Sequence, residues 1–257
     1  MSLLKTKDLY KYFEGLNAVD SFNFEIQKGE ILGLIGPNGA GKTTLFNLIT
    51  GVHSPSQGEI WFKQEPISKL KPHIITRKGI ARTFQITSLY PGLTAFENII
   101  VGTCRNEKID FFRVLLNTKS FRRETSAHIQ EVTELINLWG LQGYKDVLAK
   151  NLSYGHQRQL SIAMAMATHP ELLLLDEPFS GMNPEETNEM SSLILKIQKQ
   201  GVTVLLIEHD MKVVMNLCER IVVMNYGKKI AEGTTKEIQA NEEVIKAYLG
   251  SDHDALA

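Results

Sequence analysis

The chain has 257 residues, 43% hydrophobic and 22% charged, with 28 Lys+Arg against 29 Asp+Glu for a formal net charge of −1. That apolar fraction sustains a packed core of one to two domains and excludes disordered, collagen-like and mucin-like chains. Near-balanced charge removes any bulk electrostatic pull toward nucleic acid or an anionic membrane. The longest apolar runs, such as Val202 to Ile207, fall far short of the roughly 20 residues that a spanning helix needs. Met1 to Asp8 carries charges without an apolar stretch behind them, so no secretory signal is read there. Two cysteines, Cys104 and Cys218, suit a reducing compartment and give no disulfide or zinc framework; a cytoplasmic protein is expected.

In chain order, Ala18 to Ile26 reads as strand, Lys28-Gly29-Glu30 as a turn, and Ile31 to Ile35 as a buried strand. Gly36 breaks that strand, and Thr43 to Thr50 places Leu45, Leu48 and Ile49 at helical spacing. Between Thr94 and Ala149 the texture changes, with Ile129, Val132, Leu135, Ile136 and Leu138 at helical spacing across Glu124 to Trp139. This stretch reads as a helical insertion, with bounds of about 94–168. From Glu171 strands and helices alternate again: Leu172 to Leu175, then the helix Pro184 to Gln200, then Val202 to Ile207. Such alternation implies an α/β fold whose mostly parallel sheet is covered by helices. Arg220 to Asn225 and Lys228 to Glu232 form a hairpin across Tyr226-Gly227, and short helices follow in 234–257. Ile238, Val244, Ile245 and Leu249 in that tail are read chiefly as packing residues.

The strongest chemical signal is Gly36-Pro37-Asn38-Gly39-Ala40-Gly41-Lys42-Thr43, with Thr44 next, which fits the phosphate-loop pattern in residue type and spacing. A chance match in a chain this long is on the order of one in a hundred. The glycines let backbone N–H groups turn inward on a polyphosphate, and the helix that follows adds its positive end. Lys42 is placed to pair with β- and γ-phosphate oxygens and the Thr43 hydroxyl to take one Mg²⁺ position. Downstream, the apolar run Leu172 to Leu175 ends in Asp176-Glu177-Pro178. Adjacent carboxylates at the carboxyl end of a parallel strand can hold Mg²⁺ through water, by Asp176, and polarise a nucleophilic water, by Glu177. Gln85 after Arg82-Thr83-Phe84, the run Leu152-Ser153-Tyr154-Gly155-His156-Gln157, and His209 after a strand are each weak signals alone.

Their order is not weak. A phosphate loop, Gln85, a helical insertion, Leu-Ser-x-Gly, an apolar strand with Asp-Glu, then His209 resembles the ATP-binding subunit of ABC transporters over nearly the whole chain. The resemblance implies one ABC ATPase domain over 1–257: a P-loop NTPase core with an N-terminal antiparallel β region and an inserted helical subdomain. It makes Glu177 the catalytic base, His209 the γ-phosphate switch, and Gln85 the group that senses Mg²⁺ and contacts a membrane partner. Ser153, Tyr154, Gly155 and His156 become the signature segment that closes over ATP held by an opposite subunit. Phe13 falls where the family places an aromatic on adenine, with Tyr12 as its rival. The cofactors implied are ATP and Mg²⁺. The partners are a second ATPase subunit, identical or homologous, transmembrane permease subunits and an extracytoplasmic substrate-binding protein, with no nucleic acid. The place implied is the inner face of the cell membrane, peripherally attached.

Gly79 to Gln85, Leu93-Thr94, Glu97-Asn98 and Gly181 to Thr187 look most like the ATPases of branched-chain amino-acid importers. Tyr154 and His156 replace the commoner Gly and Gln of the signature, and Asn183 stands where Asp is usual. An ABC ATPase of another importer, an exporter or a lipid-transport system is the nearest alternative. A nonmembrane ABC ATPase acting on nucleic acid is further off, since no second ATPase unit or long coiled-coil insertion is present in this sequence.

Overall fold

A computed structural model of the chain describes residues 2–83, 89–103 and 119–251. Gln85, Cys104 and residues 252–257 lie outside the described residues. In order come β1 (Ser2–Phe13), β2 (Leu16–Phe22), β3 (Glu25–Gln27), β4 (Ile31–Ile35), α1 (Lys42–Ile49), β5 (Gln57–Phe62), β6 (Glu65–Pro66), α2 (Pro72–Lys78) and β7 (Ile80–Arg82). Then follow α3 (Ala95–Thr103), α4 (Lys119–Leu138), α5 (Tyr154–Met166), β8 (Leu172–Asp176), α6 (Pro184–Lys199) and β9 (Thr203–Ile207). The described chain closes with α7 (Met211–Leu217), β10 (Arg220–Asn225), β11 (Lys228–Thr234), α8 (Thr235–Gln239) and α9 (Glu242–Ser251).

Two compact units are present: Met1–Arg82 with Glu171–Pro178 and Ile194–Ala257, and Thr83–Pro170 with Phe179–Leu193. The first holds two sheets. One is antiparallel, β2-β1-β5-β6 with β3 also on β1; the other runs β11-β10-β4-β9-β8-β7 and is parallel except for the β10–β11 hairpin. The strands β4, β8 and β9 are buried at every position, which is why they read as unbroken apolar runs rather than alternating ones. Alternate residues of these strands, including Leu32, Leu34, Leu172, Leu174, Leu205 and Ile207, join Leu45, Phe46 and Leu48 of α1 in one core cluster. That cluster extends to Leu4, Leu9, Phe22 and Ile60 of the antiparallel sheet.

The second unit is mainly helical. Val132 and Ile136 bury one face of α4, and the helix stops at Gly140, whose φ of +67° suits a glycine terminus. Thr94 and Glu97 form a reciprocal cap at the start of α3, Glu97 N–H reaching Thr94 Oγ1 (3.2 Å) and Thr94 N–H reaching Glu97 Oε2 (2.7 Å). Fully buried Asn98 accepts from Tyr90 N–H (2.8 Å) and donates to Tyr90 O (3.1 Å) and Thr94 O (2.9 Å). Leu93-Thr94 and Glu97-Asn98 thus fix the entry to a helix. Among the described residues, no helix is long and apolar enough to cross a membrane.

Candidate active site

The phosphate-loop sequence sits at the end of β4, between β9 and β10. At Gly36 a Cβ would lie 1.9 Å from Met224 O, so only glycine lets the strand turn there. Gly41, at φ +105°, caps α1 without a side-chain hydrogen bond, and a Cβ on it would meet Ala18 O at 2.2 Å. Gly39 differs: its φ is +77°, yet nothing lies within 4 Å of a Cβ placed there, leaving room beside the loop. The first turn of α1 carries no acidic residue, so its N–H groups form an uncompensated positive end, with Thr43 and Thr44 on the same turn. Lys42 Nζ folds back on the loop, donating to Gly36 O (2.7 Å) and Pro37 O (2.9 Å). Burial pushes its pKa down, while the charges of Glu177 and Asp176 act the other way.

Two long-range contacts fasten this loop, and neither is visible in the sequence. Gly227 N–H, in the β10–β11 turn, donates to Ala40 O at 2.9 Å. Tyr248 on α9 is hydrogen-bonded to the backbone of Gly36, and burial pushes its phenol up to about 12. In the C-terminal tail Ile238 and Val244 are buried as expected of packing residues, Ile245 is exposed instead, and Tyr248 touches the loop.

Asp176 closes β8 and is 2% exposed. Its Oδ2 lies 2.8 Å from Arg82 Nη2, while Arg82 Nη1 donates to Asn47 Oδ1 at 2.6 Å. Burial pushes the Asp176 carboxyl up, and Arg82 opposes that shift. Its Oδ1 has no hydrogen-bond partner among the described residues. An unsatisfied buried oxygen costs about 1–3 kcal/mol, and a hard cation such as Mg²⁺ is the partner that carboxylate oxygen suits. The hydroxyl of Thr43 and this oxygen are the donor types Mg²⁺ takes, so the residues fit the ion.

Glu177 departs from β8 at φ +48°, a left-handed conformation rare outside glycine, and its N–H is pinned to Ile207 O at 2.9 Å. Such strain, of order 1 kcal/mol, fixes the direction in which the carboxylate leaves the sheet. Two residues past Ile207, His209 is 68% exposed, with Nδ1 3.7 Å from Glu208 Oε2. Phe13 ends β1, 39% exposed, with the His53 ring edge-on at 5.4 Å and Lys11 Nζ 4.9 Å from its centroid. Tyr12, 37% exposed, packs on Tyr10 at 5.9 Å.

In the second unit, Ser153 is the N-cap of α5, its Oγ accepting from His156 N–H at 3.3 Å. Tyr154 OH accepts from Arg158 Nη2 at 2.5 Å, and the Tyr154 ring lies 3.2 Å from where a Gly181 Cβ would be. At Gly155 a Cβ would fall 2.8 Å from Glu186 Oε1, so a larger residue there would displace the end of the Glu186 side chain. Sequence reasoning missed Arg82 and Tyr144. Arg82 stands in the quoted Arg-Thr-Phe-Gln run and was open to notice; Tyr144, whose ring meets His156 at 4.0 Å, carried no signal.

A family described as ABC transporter matches residues 19–180, and one described as Branched-chain amino acid ATP-binding cassette transporter matches residues 228–254. The chain is 44% identical over 249 residues to the High-affinity branched-chain amino acid transport ATP-binding protein LivG of Escherichia coli (strain K12), across 96% of this chain and 98% of that protein. Among solved structures, a nucleotide-free ATP-binding cassette from an ABC transporter is similar at TM-score 0.85 and 29% identity, over 96% of this chain and 99% of that one. A dimeric ATP-binding cassette in a post-hydrolysis state, bound to ADP and Pi, is similar at TM-score 0.77 and 25% identity, over 90% and 98%. The strand-end cradle, the carboxylates beside it and these matches agree: the chain belongs to the ATP-binding subunits of ABC transporters, which are ATPases.

Proposed function

We propose that this subunit hydrolyses ATP to power uptake of branched-chain amino acids through a membrane partner. The observation that carries the site is the pairing, in one unit, of the Gly36–Thr43 cradle with the unpartnered Oδ1 of Asp176 and the strained Glu177 beside it. The likeness to LivG and the match over 228–254 support the substrate class.

The triphosphate lies along the loop N–H groups, and Lys42 exchanges the carbonyls of Gly36 and Pro37 for β- and γ-phosphate oxygens, a stronger, charge-assisted partnership. Phe13 stacks on adenine. Thr43, Gln85 and Asp176 would hold Mg²⁺, whose contribution is to neutralise charge spread over the phosphate oxygens. Glu177 orients the attacking water and takes its proton, while His209 contacts the γ-phosphate. Ser153, Tyr154, Gly155 and His156 meet the nucleotide of a second ATPase subunit, since this chain contains one phosphate loop. The likeness to a dimeric cassette bound to ADP and Pi supports that pairing. One ATPase domain with a helical insertion at about 94–168 is docked peripherally on the inner face of a membrane. Permease subunits there receive substrate from an extracytoplasmic binding protein, and nucleic acid has no part.

The test purifies the subunit with its membrane partners and measures ATP binding and hydrolysis in proteoliposomes. Lys42→Ala is expected to weaken ATP binding at least about 100-fold. Leucine, isoleucine and valine, each presented with the binding protein, should stimulate hydrolysis. Undiminished ATP affinity in Lys42→Ala refutes the cradle, and stimulation by an unrelated solute alone refutes the substrate class.

A further inference from the structure

The start of α5 contains a hydrogen bond that capping a helix does not require. Besides accepting from His156 N–H, Ser153 Oγ lies 2.8 Å from His156 Nδ1. The imidazole is held in that direction by Tyr144, ring centroids 4.0 Å apart and planes tilted by 40°. A serine hydroxyl has one proton and two acceptor lone pairs. If Nδ1 is bare, it takes that proton, and Oγ turns only lone pairs toward an approaching anion. If Nδ1 carries a proton, in the neutral Nδ1–H tautomer or in the imidazolium, it donates instead. The two lone pairs are then filled by Nδ1–H and the His156 N–H, and the hydroxyl proton is free to point at a phosphate oxygen.

We propose that His156 is a positioning residue that sets the direction of the Ser153 hydroxyl proton, so that gripping a partner subunit's triphosphate is coupled to protonation at Nδ1. The inference rests on the reading that Ser153 meets the nucleotide of a second copy. The neutral ring shares one proton between Nδ1 and Nε2, whereas the imidazolium carries one on each, so acid raises the fraction of rings with Nδ1–H and strengthens nucleotide-driven pairing by linkage. The ring packs on Tyr144 of the preceding turn, and Tyr154 and Arg158 of α5 and Glu186 on the first turn of α6 are further titratable groups at these helix starts. Of these residue types, imidazole is the one whose charge ordinarily changes between pH 5 and 8. The commoner Gln at this position can offer an amide proton at any pH, so the His here adds a dependence that a Gln lacks.

The test uses the full chain carrying Glu177→Gln, with ATP titrated and dimer followed by light scattering at pH 6 and pH 8. The half-maximal ATP concentration is expected to be about fourfold lower at pH 6. Adding His156→Gln should preserve pairing and flatten that difference below about twofold. Adding His156→Phe, which keeps the stack on Tyr144 but has no ring nitrogen to capture the hydroxyl proton, should likewise flatten the difference below about twofold. Equal pH dependence in the parent and in either His156 variant overturns the proposal. Ser153→Ala in the same assay separates the two levels. If it pairs as tightly as the parent, the role of Ser153 fails and the inference with it; if it weakens pairing while the pH dependences match, only the role of His156 falls. Contributions from His209 or from ATP itself are common to every variant and cancel.

Discussion

The helix starts at Gly41 and at Ser153 are made from different materials. Around Gly41 the shape is backbone: glycines that exclude a Cβ at Gly36 and Gly41, a Gly227 N–H on Ala40 O, and the left-handed Glu177 at the end of β8, with β9 between it and β4. Around Ser153 the shape is side chain: a hydroxyl, an imidazole on a phenol ring, and a tyrosine hydrogen-bonded to an arginine. The first is anchored in the fully buried strands β4, β8 and β9; the second lies at a helix end where Ser153 and Tyr154 are exposed. A site set by backbone changes its chemistry through the few side chains it presents, and those changes are large. A site set by side chains can be altered in steps.

The sharpest break falls on the backbone-built region. Glu177→Gln keeps the backbone and the volume but removes the carboxylate proposed as the base, so turnover should fall about 10²- to 10⁴-fold with ATP binding retained. Phosphate release and equilibrium nucleotide binding measure the two separately. Wild-type turnover in this variant would show that another group takes the proton.

A comparable effect, on stability rather than rate, is expected at Arg82. Arg82→Met leaves Asp176 buried without its ion partner, at a cost of about 3–5 kcal/mol in urea unfolding. Because the uncompensated charge is what costs, pairing Arg82→Met with Asp176→Leu should recover most of that loss. A double variant as unstable as the single one would mean that packing against Phe46, whose ring centroid lies 5.4 Å from the guanidinium carbon, is what Arg82 supplies.

The contrast in materials also explains what the sequence revealed. Ile31–Ile35, Thr203–Ile207 and the Arg220–Asn225 hairpin strand were legible because strands buried on both faces need unbroken apolar runs. The phosphate loop was legible because Gly36 and Gly41 are demanded by backbone clashes and Gly39 by its positive φ. By contrast, β1 escaped notice. Its buried residues, Leu3, Leu4, Thr6 and Leu9, do not alternate, since the register slips on β3 between Ser2 and Leu4 and on β5 between Lys7 and Tyr10, where Asp8 sits at φ +45°. Contacts such as Gly227 to Ala40, Tyr248 to Gly36 and Arg82 to Asp176 join residues remote in sequence through the sheet order, which no local pattern encodes. The signature segment was legible as a pattern, whereas its ring contact with Tyr144 was not.

The smallest expected effect belongs to the side-chain-built region and tests its tolerance. Asn183 was singled out as a departure from Asp. Its Oδ1 accepts from Glu185 N–H (2.9 Å) and Glu186 N–H (3.0 Å), and its own N–H reaches Glu186 Oε2 (3.0 Å), a reciprocal cap on α6. An amide oxygen and a carboxylate oxygen accept these bonds alike, and caps rank Asn and Asp together. Asn183→Asp should therefore leave stability within about 0.5 kcal/mol, and Asn183→Ala should lower it by about 1 kcal/mol in urea unfolding. The carboxylate also places negative charge at the positive end of α6, which already carries Glu185 and Glu186, so attraction to the helix and repulsion between side chains oppose each other. An Asp variant less stable than the Ala variant would show that repulsion wins, and that Asn is held here by its neutrality rather than by its cap.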